Sequence, residues 1–88
     1  MTGSDLSITE SGSVRAHFQC DGNCVSVDFY CGDKLVGTHD VYTRAQAVEV
    51  GTHVAESGIY KNFPVPGVLL EDIKSFGNRL RQYGENGC

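Results

Sequence analysis

Between Val14 and Cys31 apolar and polar side chains alternate, interrupted only at Asp21-Gly22-Asn23. Val14, Ala16, Phe18 and Cys20 interleave with Arg15, His17 and Gln19, and beyond the turn Val25, Val27, Phe29 and Cys31 interleave with Ser26, Asp28 and Tyr30. Successive side chains of a strand leave opposite faces of the pleat, so a period of two marks a half-buried strand. The segment therefore predicts an antiparallel hairpin with one apolar face. A two-residue turn at Gly22-Asn23 or at Asp21-Gly22 suits it. With the first, Cys20 faces Val25, Phe18 faces Val27, Ala16 faces Phe29 and Val14 faces Cys31, all apolar pairs. Gln19 then meets Ser26, His17 meets Asp28 and Arg15 meets Tyr30 on a polar face, with a His17-Asp28 contact expected. The second shifts partners by two and keeps both faces.

A turn at Gly32-Asp33-Lys34 leads to a third strand over 35–42, whose register has two solutions because Leu35 and Val36 are adjacent and apolar. If Val36 faces the core, so does Thr38, and His39 joins the polar side; if Leu35 does, His39 turns inward. A two-residue turn, which keeps the sheet twist, favours the first. Leu6 and Ile8 alternate with Ser7 and Thr9, the pattern of a short strand before a Ser11-Gly12-Ser13 turn, while Met1 to Asp5 is small and polar and reads as loose.

Thr43-Arg44-Ala45-Gln46 matches a capping box and opens a helix with Ala47, Val48, Gly51, Val54 and Ala55 on one stripe. These small residues allow close packing, and Ser57-Gly58 supplies the stop. Tyr60, Phe63, Pro64 and Pro66 lie in a connection whose aromatics either cap the core, the favoured reading, or make an exposed contact patch. A second helix is expected from Val68 to Tyr83, with Leu69, Ile73, Phe76, Leu80 and Tyr83 in step, acidic residues at its start, Arg79 and Arg81 near its end, and Gly84 as terminator. The expected fold is α+β, an antiparallel three- or four-stranded sheet with two helices packed on one face. Residues 1–13 form a loosely ordered segment or a short strand, 14–84 a single domain and 85–88 a tail.

Eighty-eight residues suffice for one small domain with a modest core. A net charge of −4 disfavours direct nucleic-acid binding, which rests on clustered Lys and Arg, and suits a basic protein partner. No run of apolar residues is long enough to span a membrane, and Met1 to Ser13 lacks the basic start and apolar block of a signal peptide, so a cytoplasmic chain is expected. On that ground the four cysteines are expected to be free thiols, Cys20 and Cys31 as small core residues, Cys24 on the polar face, and Cys88 exposed and able to form an adventitious dimer.

His17, Asp28 and His39 can converge on the polar sheet face with Cys24 nearby. A flat face gives poor tetrahedral geometry, and no HxxxH or CxxC pair occurs, so no metal, cofactor or catalytic residue is assigned. Cys24 beside His17 or His39 is the only candidate nucleophile and base, and a small metal or thiol protein is the third-ranked reading. Tyr30, Tyr42, Tyr60 and Phe63 are the aromatics expected nearest the surface. Contact is the expected mode of action, through His17, Gln19, Asp28 and Tyr30 on the outer face.

From Val14 onward the chain resembles small phage-encoded anti-CRISPR proteins that inhibit type I surveillance complexes. The likeness lies in the turn at Asp21-Gly22-Asn23, in Gly32-Asp33-Lys34-Leu35-Val36-Gly37 leading to Asp40, and in Thr43 opening a helix. It continues with Pro66-Gly67 before a helix carrying Leu69, Ile73, Asn78 and Arg79, and with Glu85-Asn86. The resemblance implies an antiparallel sheet backed by two helices. It further implies a non-enzymatic plug on a Cas subunit, in the bacterial host cytoplasm, that keeps target DNA from pairing with the guide. The polar sheet face would be the contact surface. An interaction module of another pathway is the alternative.

Overall fold

The computed structural model describes residues 2–9 and 13–87. Its elements are β1 (Thr2–Ser7), β2 (Val14–Asp21), β3 (Cys24–Cys31), β4 (Lys34–Thr43), α1 (Arg44–Ser57) and α2 (Leu70–Asn86). The strands form one antiparallel sheet in the order β1-β2-β3-β4, with both helices on its apolar side. The α+β architecture is as expected, in its four-stranded form. Among the described residues no helix is long and apolar enough to cross a membrane.

The β2-β3 hairpin takes the Gly22-Asn23 register, pairing Cys20 with Val25, Phe18 with Val27, Ala16 with Phe29 and His17 with Asp28. Gly22 alone supplies a positive φ, 63°, at the first turn residue, as a type II′ turn requires. Val14, Ala16, Phe18, Val25, Val27 and Phe29 are buried on the inner face. Helix α1 adds Ala47 and Val54, and α2 adds Phe76 and Leu80. Phe76 sits at the centre, its ring 5.3 Å from that of Phe18, 6.0 Å from Phe29 and 4.7 Å from Tyr60.

Several boundaries differ from expectation, among them the start of α2, which opens at Leu70 after the Leu69 cap and not at Val68. Strand β1 starts at Thr2 and pairs along β2 from Thr2-Cys20 to Ser7-Arg15, so most of the segment read as loose lies in the sheet. Pairing with β2, and not its own apolar alternation, holds it there. The expected Ser11-Gly12-Ser13 turn falls largely outside the described residues. Gly84 does not end α2: it is buried against α1, and the helix runs on to Asn86, where Gly87 donates its amide to the Tyr83 carbonyl. Residues 85 and 86, expected in the tail, are therefore helical.

Strand β4 begins as expected, with Val36 inward opposite Phe29. Thr38 does not follow it. The register shifts so that Asp40, not Thr38, lies opposite Val27, and Thr38 is exposed. Gly37 makes this possible with a φ of 71°, and its missing side chain admits Pro64, whose Cβ would lie 2.9 Å from a Cβ placed there.

The expectation of four free thiols also fails. Cys24 and Cys31 are free, but Cys20, half-buried against the core at the end of β2, is disulfide-bonded. Redox compartment is a weak guide to pairing, which depends on proximity in the fold. Cys31, expected in the core, is exposed, because it lies at the Gly32-Asp33 turn beyond the helices. The expectation for Cys88 lies outside the described residues.

Candidate functional site

The helices cover one side of the sheet and leave the other bare. Strand pairing arranges the outer side chains in rows across the strands, since cross-strand partners share a face. Ser7, Arg15, Tyr30 and Leu35 form one row. Gly3, Gln19, Ser26 and Val41 form another. Between them runs Asp5, His17 and Asp28, completed by His39, which the β4 bulge brings opposite Asp28.

This middle row alternates carboxylate and imidazole across all four strands. His17 Nδ1 lies 2.7 Å from Asp5 Oδ1, and His39 Nδ1 lies 2.5 Å from Asp28 Oδ1. The expected His17-Asp28 hydrogen bond is not made, although the two residues are register partners. His17 instead bonds outward from the central hairpin to Asp5 of β1, and Asp28 is taken by His39 of the edge strand β4. Asp28 is the most covered of the four, with a side chain 14% exposed, whereas that of His39 is 54% exposed. Asp28 thus orients His39 more than it meets solvent.

The flanking rows finish the surface. Arg15 places its guanidinium carbon 4.8 Å from the centre of the Tyr30 ring, a cation-π distance. It also donates from Nη2 to the Gly32 carbonyl at 3.2 Å and lies 3.9 Å from Asp5. Tyr30 meets the His17 ring edge-on at 6.2 Å. Leu35 and Val41, each more than half exposed, set apolar corners at the β4 edge. A depression of about 260 Å³ is lined by Asp5, Arg15, His17 and Tyr30, and one of about 340 Å³ by Gln19, Asp21, Cys24, Ser26, His39 and Val41.

All four residues expected to make contact, His17, Gln19, Asp28 and Tyr30, lie on this face. Sequence reasoning missed Asp5, hidden in a segment with no strand pattern, and the pairing of His39 with Asp28. Of the expected surface aromatics, Tyr30 is outside, whereas Tyr42, Tyr60 and Phe63 pack at the edge of the core on the helix side. Tyr60 donates to Asp40 Oδ2 at 2.7 Å and lies 2.9 Å from the Tyr42 hydroxyl.

Chemically, the face offers directed hydrogen bonds and a negative balance. His17 and His39 stand on β2 and β4 with β3 between, about 10 Å apart by strand spacing. That distance is too wide for one ion, and no group of three metal-ligating side chains occurs among the described residues. Cys24 shares its depression with His39 but not with His17, and no hydrogen bond joins thiol to imidazole among the described residues. No family model, curated protein or solved structure matches the chain.

Proposed function

We propose that the chain acts by stoichiometric binding, laying the outer face of its sheet on a basic protein surface. In the version its resemblance suggests, it is a phage-encoded inhibitor that occupies a Cas subunit of a type I CRISPR effector and keeps target DNA from the guide. The observation that supports this reading is the middle row: four ionisable side chains held in register on a face that no element of the fold covers. Among the described residues, neutral imidazoles leave Asp5, Asp28 and Asp21 opposed on this face by Arg15, so the face is negative and suits Lys and Arg. Ordered side chains bind at lower entropic cost than mobile ones, which makes a prearranged polar row effective despite its exposure.

Retention of the purified type I effector complex on immobilised protein tests the proposal. The unaltered chain is expected to hold the complex at micromolar concentration and to block its binding of target DNA. His17→Ala combined with Asp28→Ala is expected to fold normally and to lose retention at least tenfold, about 1.4 kcal/mol. No retention by the unaltered chain refutes the CRISPR version, and full retention by the double variant refutes the outer face as the site.

A further inference from the structure

We propose that the outer face receives lysine and arginine side chains through outward-facing acceptors, and that it does so only while His17 and His39 are uncharged. The inference rests on the outer-face reading above and adds to it the chemistry of the partner and a dependence on pH.

The argument begins with the tautomer. An ionised carboxylate only accepts hydrogen bonds, so the ring nitrogen that faces it must carry the hydrogen. Nδ1 faces Asp5 in His17 and Asp28 in His39, which fixes both neutral rings with hydrogen on Nδ1 and a lone pair on Nε2. Neither Nε2 makes a hydrogen bond among the described residues. The row therefore presents the Asp5 carboxylate and two imidazole lone pairs to an approaching molecule. Ammonium and guanidinium groups bring donors and no acceptors, and they match this array.

Protonation reverses both properties together. Imidazole is the side chain whose charge ordinarily changes between about pH 5 and 8. Two added protons cancel the two carboxylate charges of the row and turn each lone pair into an N–H pointing at the incoming donors. His17 is faced by Asp5 from β1, by Arg15 of its own strand, and by Asp28 and Tyr30 from β3. His39 is faced by Asp28 from β3 and shares its depression with Cys24 of β3 and Asp21 of β2. Both helices lie across the sheet from these rings. Among the described residues, Arg15 lies 3.9 Å from Asp5 and is its one cationic neighbour on this face, while the Gly32 carbonyl and the Tyr30 ring hold the rest of its guanidinium. Linkage makes the effect reciprocal, so a bound cationic side chain also resists protonation of the imidazoles.

The test uses a fluorescein-labelled octa-arginine peptide as probe, with anisotropy read at about pH 8 and about pH 5.5 at constant ionic strength. Acidification is expected to weaken binding about tenfold or more. His53→Gln, which removes the imidazole of α1, is expected to keep that loss. His17→Gln with His39→Gln is expected to reduce the pH effect below about twofold, whatever the affinity of the variant. Equal wild-type affinity at the two pH values, or an undiminished acid loss in the double variant, overturns the inference. No binding at either pH overturns the basic-partner reading and this inference with it. Binding that ignores pH overturns the inference alone. Ring-nitrogen NMR of the free chain gives a partner-free check: hydrogen on Nδ1 at neutral pH is expected, and hydrogen on Nε2 would overturn the argument at its first step.

Discussion

Asp40 shows how a single residue can hold a loop. Turned inward by the β4 bulge, it accepts from Tyr60 at 2.7 Å, from Thr38 at 3.2 Å and from Asn62 at 3.3 Å. Tyr60 spends its only hydrogen on this carboxylate, so the 2.9 Å contact with Tyr42 is a hydrogen bond donated by Tyr42. Burial raises the pKa of Tyr60 far above the usual phenol range, with its hydrogen bond to Asp40 and the charge of that carboxylate adding to the effect. Burial also raises that of Tyr42, with the Asp40 charge adding to the effect. The folded chain thus holds these protons more tightly than the unfolded chain. Their contribution to stability is complete below about pH 10 and is lost as pH rises above it. Tyr60→Phe is expected to cost about 1–2 kcal/mol at neutral pH and to make the decline above about pH 10 shallower. Urea denaturation of both proteins at the two pH values measures this. None of it was legible beforehand, because the sequence places Asp40 in a strand of ambiguous register, and only the Gly37-Pro64 approach decides which way its side chain turns.

At the scale of elements, the two helices meet backbone to backbone. A Cβ on Gly77 would lie 2.5 Å from the Ala55 amide nitrogen, and one on Gly51 2.5 Å from that of Arg81. Gly84 is as crowded, 2.7 Å from the Arg44 carbonyl oxygen. Arg44 closes the same end, donating to the carbonyls of Gly84 and Glu85. In an isolated helix, glycine to alanine gains about 1 kcal/mol. Here the added methyl meets main chain, which no side-chain rotation relieves, and overpacking of this kind costs about 1–3 kcal/mol. Gly77→Ala is expected to lower stability by about 2 kcal/mol, whereas Asn78→Ala, at an exposed position of the same helix, changes it little; thermal or urea melts distinguish the two. The run of small residues in α1 and the Thr43 cap were plain in the sequence. So were the two faces of the β2-β3 hairpin, because a slip of one residue would set apolar side chains against polar ones; the choice between its two registers was not, since a turn at Asp21-Gly22 keeps the same faces. The stop of α2 was not, for a glycine that ends a helix and one that admits a neighbour look alike in one dimension.

As a whole, the molecule is a slab with Cα extents of 31 × 28 × 16 Å, thin enough for a single layer of helices on a single sheet. So small a core gains from a covalent tie, and the bonded Cys20 at the inner edge of the sheet supplies one. Thiol titration of the denatured, unreduced chain is expected to find fewer than the four thiols of the sequence, and all four after reduction; four without reductant would contradict the bonded state. The outer face was legible only in part. Its central hairpin follows from alternation, but its full width depends on the Thr2 to Asp5 part of β1, which carries no strand signal, and on the bulge of β4.

The glycine seam between the helices has one last consequence, for how such a chain can change. Where main chain touches main chain, hardly any replacement is admissible, and the inner layer is frozen. The opposite surface meets no such restriction, since its side chains project into open solvent from a platform secured beneath them. A lineage descended from this scaffold can therefore exchange the letters at positions 5, 17, 19, 28, 30 and 39 without having to solve folding again.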